Sequence, residues 1–316
     1  MREITYSQAS SEALQEEFRR DKNTVHLSTD IPFALRQEFG EARVRVTPLS
    51  ESALVGTAIG LAGSGFRPVV DIGLATFGFV AMDQIVNQAA KITYMLGGQA
   101  RFPIVYRMRV GAGISGAAQH SISPYSMFMN VPGLKIILPS TPYDIKGLLK
   151  TAIRDANPVL LFEHIVLGKM TGEVPDEEYS IPLGKAEIKR EGTDVTVVAL
   201  SRMVHDVLAV AEDMGKKGIS LEVIDPRTLV PIDVDAMRTS VAKTGRLIVV
   251  DEACQTAGAA AEIISLITED DTIFRQLKSS PKRVCGLDVP IPFSPTMEQY
   301  ALPNRERIVA ALKRIV

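Results

Sequence analysis

Short apolar runs rich in valine and isoleucine alternate along this sequence with longer stretches of helical period. Strand, helix and strand following one another in that way build parallel sheets, so the expected class is α/β. In the first half, strands are predicted at Pro68–Ile72, Pro103–Arg107, Leu134–Leu138 and Pro158–Phe162, whose near-continuous apolarity suits burial on both faces. A helix is predicted from Pro142 to Arg154, because Thr141 can accept N–H bonds as N-cap and Pro142 fits the first helical position, where no donor is needed.

Between about residues 165 and 192 the periodicity fails, and charged, proline and glycine residues accumulate from Lys169 to Glu178. A domain crossing is expected there, giving domains 1–185 and 186–316. The second domain repeats the alternation: strand Val195–Leu200, helix Met203–Gly215, strand Ser220–Asp225, helix Val234–Thr244 and strand Arg246–Asp251. The closing segment, Pro303 to Val316, reads as one amphipathic helix with Ile308, Val309, Leu312 and Ile315 on one side.

The 35 basic and 37 acidic residues leave a net charge of -2, and no basic run offers the counterion release that drives nucleic-acid binding. No segment reaches the roughly 18 uninterrupted apolar residues of a membrane span. The start, Met1-Arg2-Glu3-Ile4-Thr5-Tyr6, lacks a signal-peptide core, and a soluble, cytoplasmic protein is expected. Cys254 and Cys285, without a CxxC pair or a histidine at metal spacing, suggest neither disulfide nor zinc.

Gly111-Ala112-Gly113-Ile114-Ser115-Gly116 is formally a dinucleotide fingerprint. It lacks the amphipathic helix that should open at its last glycine, and the first acid downstream is Asp144, so it reads instead as a loop in which backbone comes close to something else. That loop delivers His120, one of four histidines, beside Gln119, Ser121 and Ser123. An imidazole there can shuttle protons, or be an ordinary hydrogen-bonding surface residue. Glu51, in Thr47-Pro48-Leu49-Ser50-Glu51, opens an apolar, small-residue helix, where it can serve chemistry or simply compensate the helix dipole.

Taken together, several segments resemble one family along nearly the whole chain: the beta subunits of the thiamin-diphosphate-dependent component of pyruvate, branched-chain 2-oxo-acid and acetoin dehydrogenase complexes. The segments are Thr47 to Glu51, Asp83-Gln84-Ile85-Val86-Asn87-Gln88-Ala89-Ala90-Lys91, Tyr94 to Gly98, Ala118-Gln119-His120-Ser121, Val131-Pro132-Gly133-Leu134-Lys135 and Ala152 to Pro158. Gly192 to Thr196, Glu222 to Leu229 and Asp288 to Phe293 add to them in the second half.

The resemblance implies two three-layer αβα domains with mostly parallel sheets, a thiamin-diphosphate pyrimidine-binding domain and a transketolase C-terminal-like domain. It implies that Glu51 hydrogen-bonds the cofactor's aminopyrimidine ring and activates it, which requires a carboxyl kept from water and able to hold a proton. Phe77, plain core by itself, matches the aromatic stacked on that ring, and Gly73 and Val80 fall at positions lining it. His120 matches the histidine that assists proton transfer and the handover of the acyl group to a lipoyl arm. Ile104, Ala152, Asp155 and Asn157 match a segment that wraps a structural K+ in several relatives, although the same stretch also reads as an ordinary helix end before Pro158. The Gly-Asp-Gly segment that holds Mg2+ and the diphosphate is missing here and belongs, in this family, to a separate alpha subunit. The implied partners are therefore that alpha subunit, in a two-alpha, two-beta assembly, a lipoyl-bearing acyltransferase and a small-molecule substrate.

Two departures stand out. Thr29 occupies the position of a family glutamate that links paired sites, and the loop after it is shortened. Alternatives are the C-terminal half of a split transketolase, disfavoured by Ser50-Glu51-Ser52 and Gln119-His120-Ser121, and a non-catalytic scaffold, disfavoured by Glu51, Phe77 and His120. For substrate, Gly111-Ala112-Gly113, the Met170–Pro175 stretch and apolar Val80 lean towards acetoin, with pyruvate and branched-chain 2-oxo acids as the other candidates.

Overall fold

Runs of branched apolar residues form strands because their stiff side chains pack well on a pleated surface, and where both faces are covered no polar alternation is needed. In the computed structural model, which describes residues 1–316, the chain divides into two compact units. The first comprises Met1–Val110 and Met127–Leu183, the second Gly111–Ser126 and Gly184–Val316. The segment Gly111–Ser126, which the sequence places within the first domain, thus groups with the second.

The sheet of the first unit runs in the order Lys135–Ile137, Val159–His164, Val105–Val110, Arg67–Leu74, Thr24–Ser28, Val44–Val46, with every neighbour parallel. Helices Tyr6–Arg20 and Pro142–Arg154 pack on one another beside this sheet, and Phe18, Leu148, Leu149, Val159 and Leu161 share their core. Helix Pro142–Arg154 has the predicted bounds, with Thr141 accepting from the Asp144 N–H as N-cap. It also buries Lys146 and Lys150, whose ammonium groups pair with Glu12, Glu16 and Glu178. Burying those charges is tolerable only because they are paired.

The second unit has a sheet in the order Lys282–Gly286, Leu247–Cys254, Val195–Ala199, Leu221–Asp225, all parallel, closed on one edge by antiparallel Glu187–Arg190. Helices Met203–Gly215 and Val234–Thr244 match the sequence reading. The terminal helix is shorter than predicted, Arg305–Leu312, because Asn304 takes the N-cap position and accepts from the Arg307 N–H. The predicted irregular crossing also contains structure: Thr171–Val174 pairs antiparallel with Arg2–Thr5. Their charged, short sequences carry none of the apolar alternation by which strands are recognised. No helix is long and apolar enough to cross a membrane, and both cysteines are free.

Candidate active site

Ligand sites in parallel α/β sheets form at the carboxyl ends of the strands, where loops and helix N-termini converge. In the first unit, strand Val44–Val46 leads into helix Glu51–Gly63, whose apolar face, Leu54, Val55, Ala58 and Ala62, is buried. Glu51 lies in the first turn, half-buried. Its neighbour Ser52 donates from Oγ to the Val80 carbonyl at 2.8 Å, tying that turn to the 3-10 segment Ala75–Ala81.

With three residues per turn, Ala75, Gly78 and Ala81 face inward and Phe77 and Val80 are left outward, 36% and 62% exposed. Strand Arg67–Leu74 breaks register between Asp71 and Gly73, and Gly73 takes φ +87° with its N–H donating to Asp71 Oδ1 at 3.0 Å. A Cβ on Gly73 would lie 3.5 Å from the Phe77 ring and 3.8 Å from the Arg109 guanidinium. Glu51, Gly73, Phe77 and Val80, widely spaced in sequence, therefore gather at one end of the sheet. Arg109, missed in the sequence reading, joins them. An alternating strand residue gives no signal of such a position.

Ile104, Ala152, Asp155 and Asn157 gather at the opposite, amino ends of the same strands. The Ile104 carbonyl accepts from the Val159 N–H at 2.8 Å. The Asp155 carboxylate is held by the Lys135 ammonium at 2.5 Å and by the Asn157 backbone and side-chain N–H groups at 2.9 and 3.1 Å, which together lower its pKa against the opposing cost of burial. Arg67 donates to the Ile153 and Asp155 carbonyls at 3.0 and 3.1 Å. A cation fitting here would be held by the remaining lone pairs of backbone oxygens, which the end of helix Pro142–Arg154 presents with its negative dipole end. A cavity of about 520 Å³ beside it is lined by Ala90, Tyr94, Gly98, Gly133 and Asn157.

His120 lies in the second unit, exposed, at the end of the short helix Ala117–His120. Its loop is closed at the neck by the Gly111 N–H donating to the Ile122 carbonyl at 3.2 Å. Three acids of the same unit hold it. The Ala112 N–H donates to Glu252 Oε1 at 2.7 Å, the Gly113 and Ser115 N–H groups donate to Glu298 at 3.0 and 3.2 Å, and the Tyr125 hydroxyl bonds Asp251. Burial pushes the Asp251 carboxyl up to about 6, against the opposing bond from Tyr125. Only a four-residue helix follows the glycines, as expected of a loop that is no nucleotide fingerprint. No group of three or more His, Cys, Asp or Glu side chains gathers as a metal site.

Residues 2–167 match the family described as transketolase, pyrimidine binding domain, and residues 184–308 match transketolase, C-terminal domain. Across 98% of its length the chain is 42% identical to the acetoin:2,6-dichlorophenolindophenol oxidoreductase subunit beta of Bacillus subtilis (strain 168), covering 96% of that protein. The chain belongs to the dehydrogenase beta-subunit family. Within that family it is also 41% identical to the 2-oxoisovalerate dehydrogenase subunit beta of the same organism, over 99% of this chain and 98% of the relative. It is 40% identical to that organism's pyruvate dehydrogenase E1 component subunit beta, over 100% and 99%. A solved split gene transketolase, described as an inactive beta4 tetramer, superposes with a TM-score of 0.80 over 99% of this chain and 98% of its own. At 21% identity it establishes the fold that this beta subunit shares.

Proposed function

We propose that this beta subunit supplies one wall of a thiamin-diphosphate site and works only with an alpha subunit, cleaving the bond next to a carbonyl in acetoin or a 2-oxo acid. The observation that carries the reading is the gathering of Glu51, Gly73, Phe77 and Val80 on an open face of the first unit. Leu49, Phe77 and Val80 leave apolar surface in water around a half-buried carboxyl, which is what half of a pocket looks like before its partner covers it.

Thiamin diphosphate, when bound, would supply a nucleophilic carbon for the substrate carbonyl. Glu51 would hydrogen-bond the aminopyrimidine ring of that cofactor and Phe77 would stack on it. The 3-10 segment fixes Phe77 and Val80, so both act as a rigid wall rather than as adaptable contacts. His120 moves protons at the substrate oxygen and assists delivery of the acyl group to a lipoyl arm. Mg2+ and the diphosphate are assigned to the alpha subunit, in a two-alpha, two-beta assembly working in the cytoplasm. Acetoin is the proposed substrate, on the strength of Gly111-Ala112-Gly113, Met170–Pro175 and Val80.

The test is dye reduction by the beta chain co-purified with its alpha protein, with thiamin diphosphate and Mg2+, against acetoin and a panel of 2-oxo acids. Turnover should appear in the mixture and in neither chain alone. A complex that forms but neither binds the cofactor nor turns over any of these substrates would leave the scaffold reading in front.

A structural K+ is also proposed on the backbone oxygens of Ile104, Ala152, Asp155 and Asn157. At the amino ends of the strands it would serve stability rather than chemistry. A site filled at a hundred times its Kd adds about 2.7 kcal/mol, so the thermal midpoint should be higher in KCl than in NaCl of equal ionic strength. Equal midpoints in the two salts would remove the ion from the account.

A further inference from the structure

The loop that carries His120 is bent in a way its own sequence does not favour. Ser115 and Ala117 sit at φ 55° and 58°, the left-handed region that residues with a Cβ rarely adopt and that persists only where the surroundings over-determine it. What over-determines it is a buried acid. Glu298, 3% exposed on helix Pro295–Ala301, accepts the Gly113 N–H at 3.0 Å through Oε1 and the Ser115 N–H at 3.2 Å through both carboxylate oxygens. No basic side chain pairs with it. A buried carboxylate without a counter-charge is stable only if hydrogen bonds replace its hydration, and these backbone donors supply them.

The contact is apolar as well as polar, since Ala112 packs with Ile291, Ala301 and Leu302 around the same helix. Glu252 holds the preceding amide, but Arg202 also claims it at 3.2 Å. Asp251 likewise divides its carboxylate between the Tyr125 hydroxyl and the Ala253 N–H, whereas the bonds of the Glu298 carboxylate all go to the loop.

We propose that Glu298 is the positioning residue for His120: its carboxylate fixes the Gly113–Ser115 backbone, which fixes where the imidazole stands. The proposal rests on the reading of His120 as the proton-transfer group. The bonds of the Glu298 carboxylate all go to the loop backbone, so its proposed role is to act through the loop.

The experiment uses the assembled alpha–beta enzyme and two readouts, amide hydrogen exchange at Gly113 and Ser115, and kcat in dye reduction. In Glu298→Ala, exchange at those amides should rise while the strands of the same unit stay protected. With the imidazole free to wander by an ångström, kcat should fall about 10²-fold, with little change in KM for thiamin diphosphate. Glu298→Gln, which keeps one acceptor oxygen but not the charge, should lie between wild type and Glu298→Ala in both, and it carries the test if the alanine variant does not fold.

The decisive arm is the His120→Ala background, where Glu298→Ala should cost almost nothing further. Unchanged exchange at Gly113 and Ser115, or the same loss of kcat with and without the imidazole, would overturn the proposal. A His120→Ala enzyme with wild-type kcat would overturn it through the histidine and not the anchor, and the exchange data tell the two apart.

Discussion

Replacing Glu51 with Gln should lower kcat of the alpha–beta enzyme by about 10²–10⁴-fold, the range spanned by loss of a positioned acid or base. The amide has the size of the carboxyl and can still donate a hydrogen bond to the aminopyrimidine nitrogen, so the pocket keeps its shape, but its N–H is far too weak an acid to give that proton up. The fold should not register the change. Helix Glu51–Gly63 is fixed by Leu54, Val55, Ala58 and Ala62 on its buried face and by the Ser52 bond to Val80, none of which involves the Glu51 side chain. A half-exposed position of this kind costs within about 0.5 kcal/mol when altered conservatively. The checks are kcat by dye reduction, cofactor affinity by calorimetry and the thermal midpoint. Wild-type kcat in a folded, cofactor-saturated variant would exclude Glu51 from activation and return it to its plain role at a helix N-terminus.

Much of the fold was legible in the sequence, because each element announces itself locally. Thr141-Pro142 begins a helix by cap chemistry, and the valine and isoleucine runs at Val105, Val195 and Leu247 begin strands by their bulk at Cβ. Glu51 and His120 drew notice as an acid and an imidazole in settings that a bland reading explained only separately. Glu298 did not. In Ser294-Pro295-Thr296-Met297-Glu298 it reads as an ordinary acid in the first turn of a short helix, and nothing nearby says that the helix will be turned against a loop far back in the chain. The same holds for Lys146 and Lys150, which look like the solvent face of a helix and are buried because helix Tyr6–Arg20 and, at Lys150, Glu178 and Tyr179 lie across them. Asp83–Ala89 is a π-helix, whose wider ladder depends on what packs beside it. Contacts between segments distant in sequence leave no local mark, and those are the contacts that set both the loop and the buried charges.

Gly133→Ala should be the most damaging single methyl in the first unit. Gly133 holds φ +100°, and a Cβ there would lie 1.9 Å from the Ala90 carbonyl oxygen and 2.9 Å from its carbon. Backbone of a packed helix cannot yield as a side-chain tip does, so the clash has to move Ala90–Met95 or the turn itself. An effect in the diagnostic tail of point substitutions, about 4–5 kcal/mol or more, is expected. Gly65→Ala separates the two contributions: it has φ +92° with nothing within 4 Å of its Cβ, and should cost only the left-handed strain of about 1–2 kcal/mol. Each is measured by thermal unfolding of the beta chain in its complex. The damage should also reach the chemistry, because Ala90 continues directly from Asp83–Ala89, and that follows Ala75–Ala81, which holds Phe77 and Val80. A Gly133→Ala protein that still folds should therefore bind thiamin diphosphate more weakly, whereas Gly65→Ala should bind it normally. If the two variants melt alike, the approach of Gly133 to Ala90 is looser than 1.9 Å implies, and the glycine of Val131-Pro132-Gly133-Leu134-Lys135 is there only for its turn.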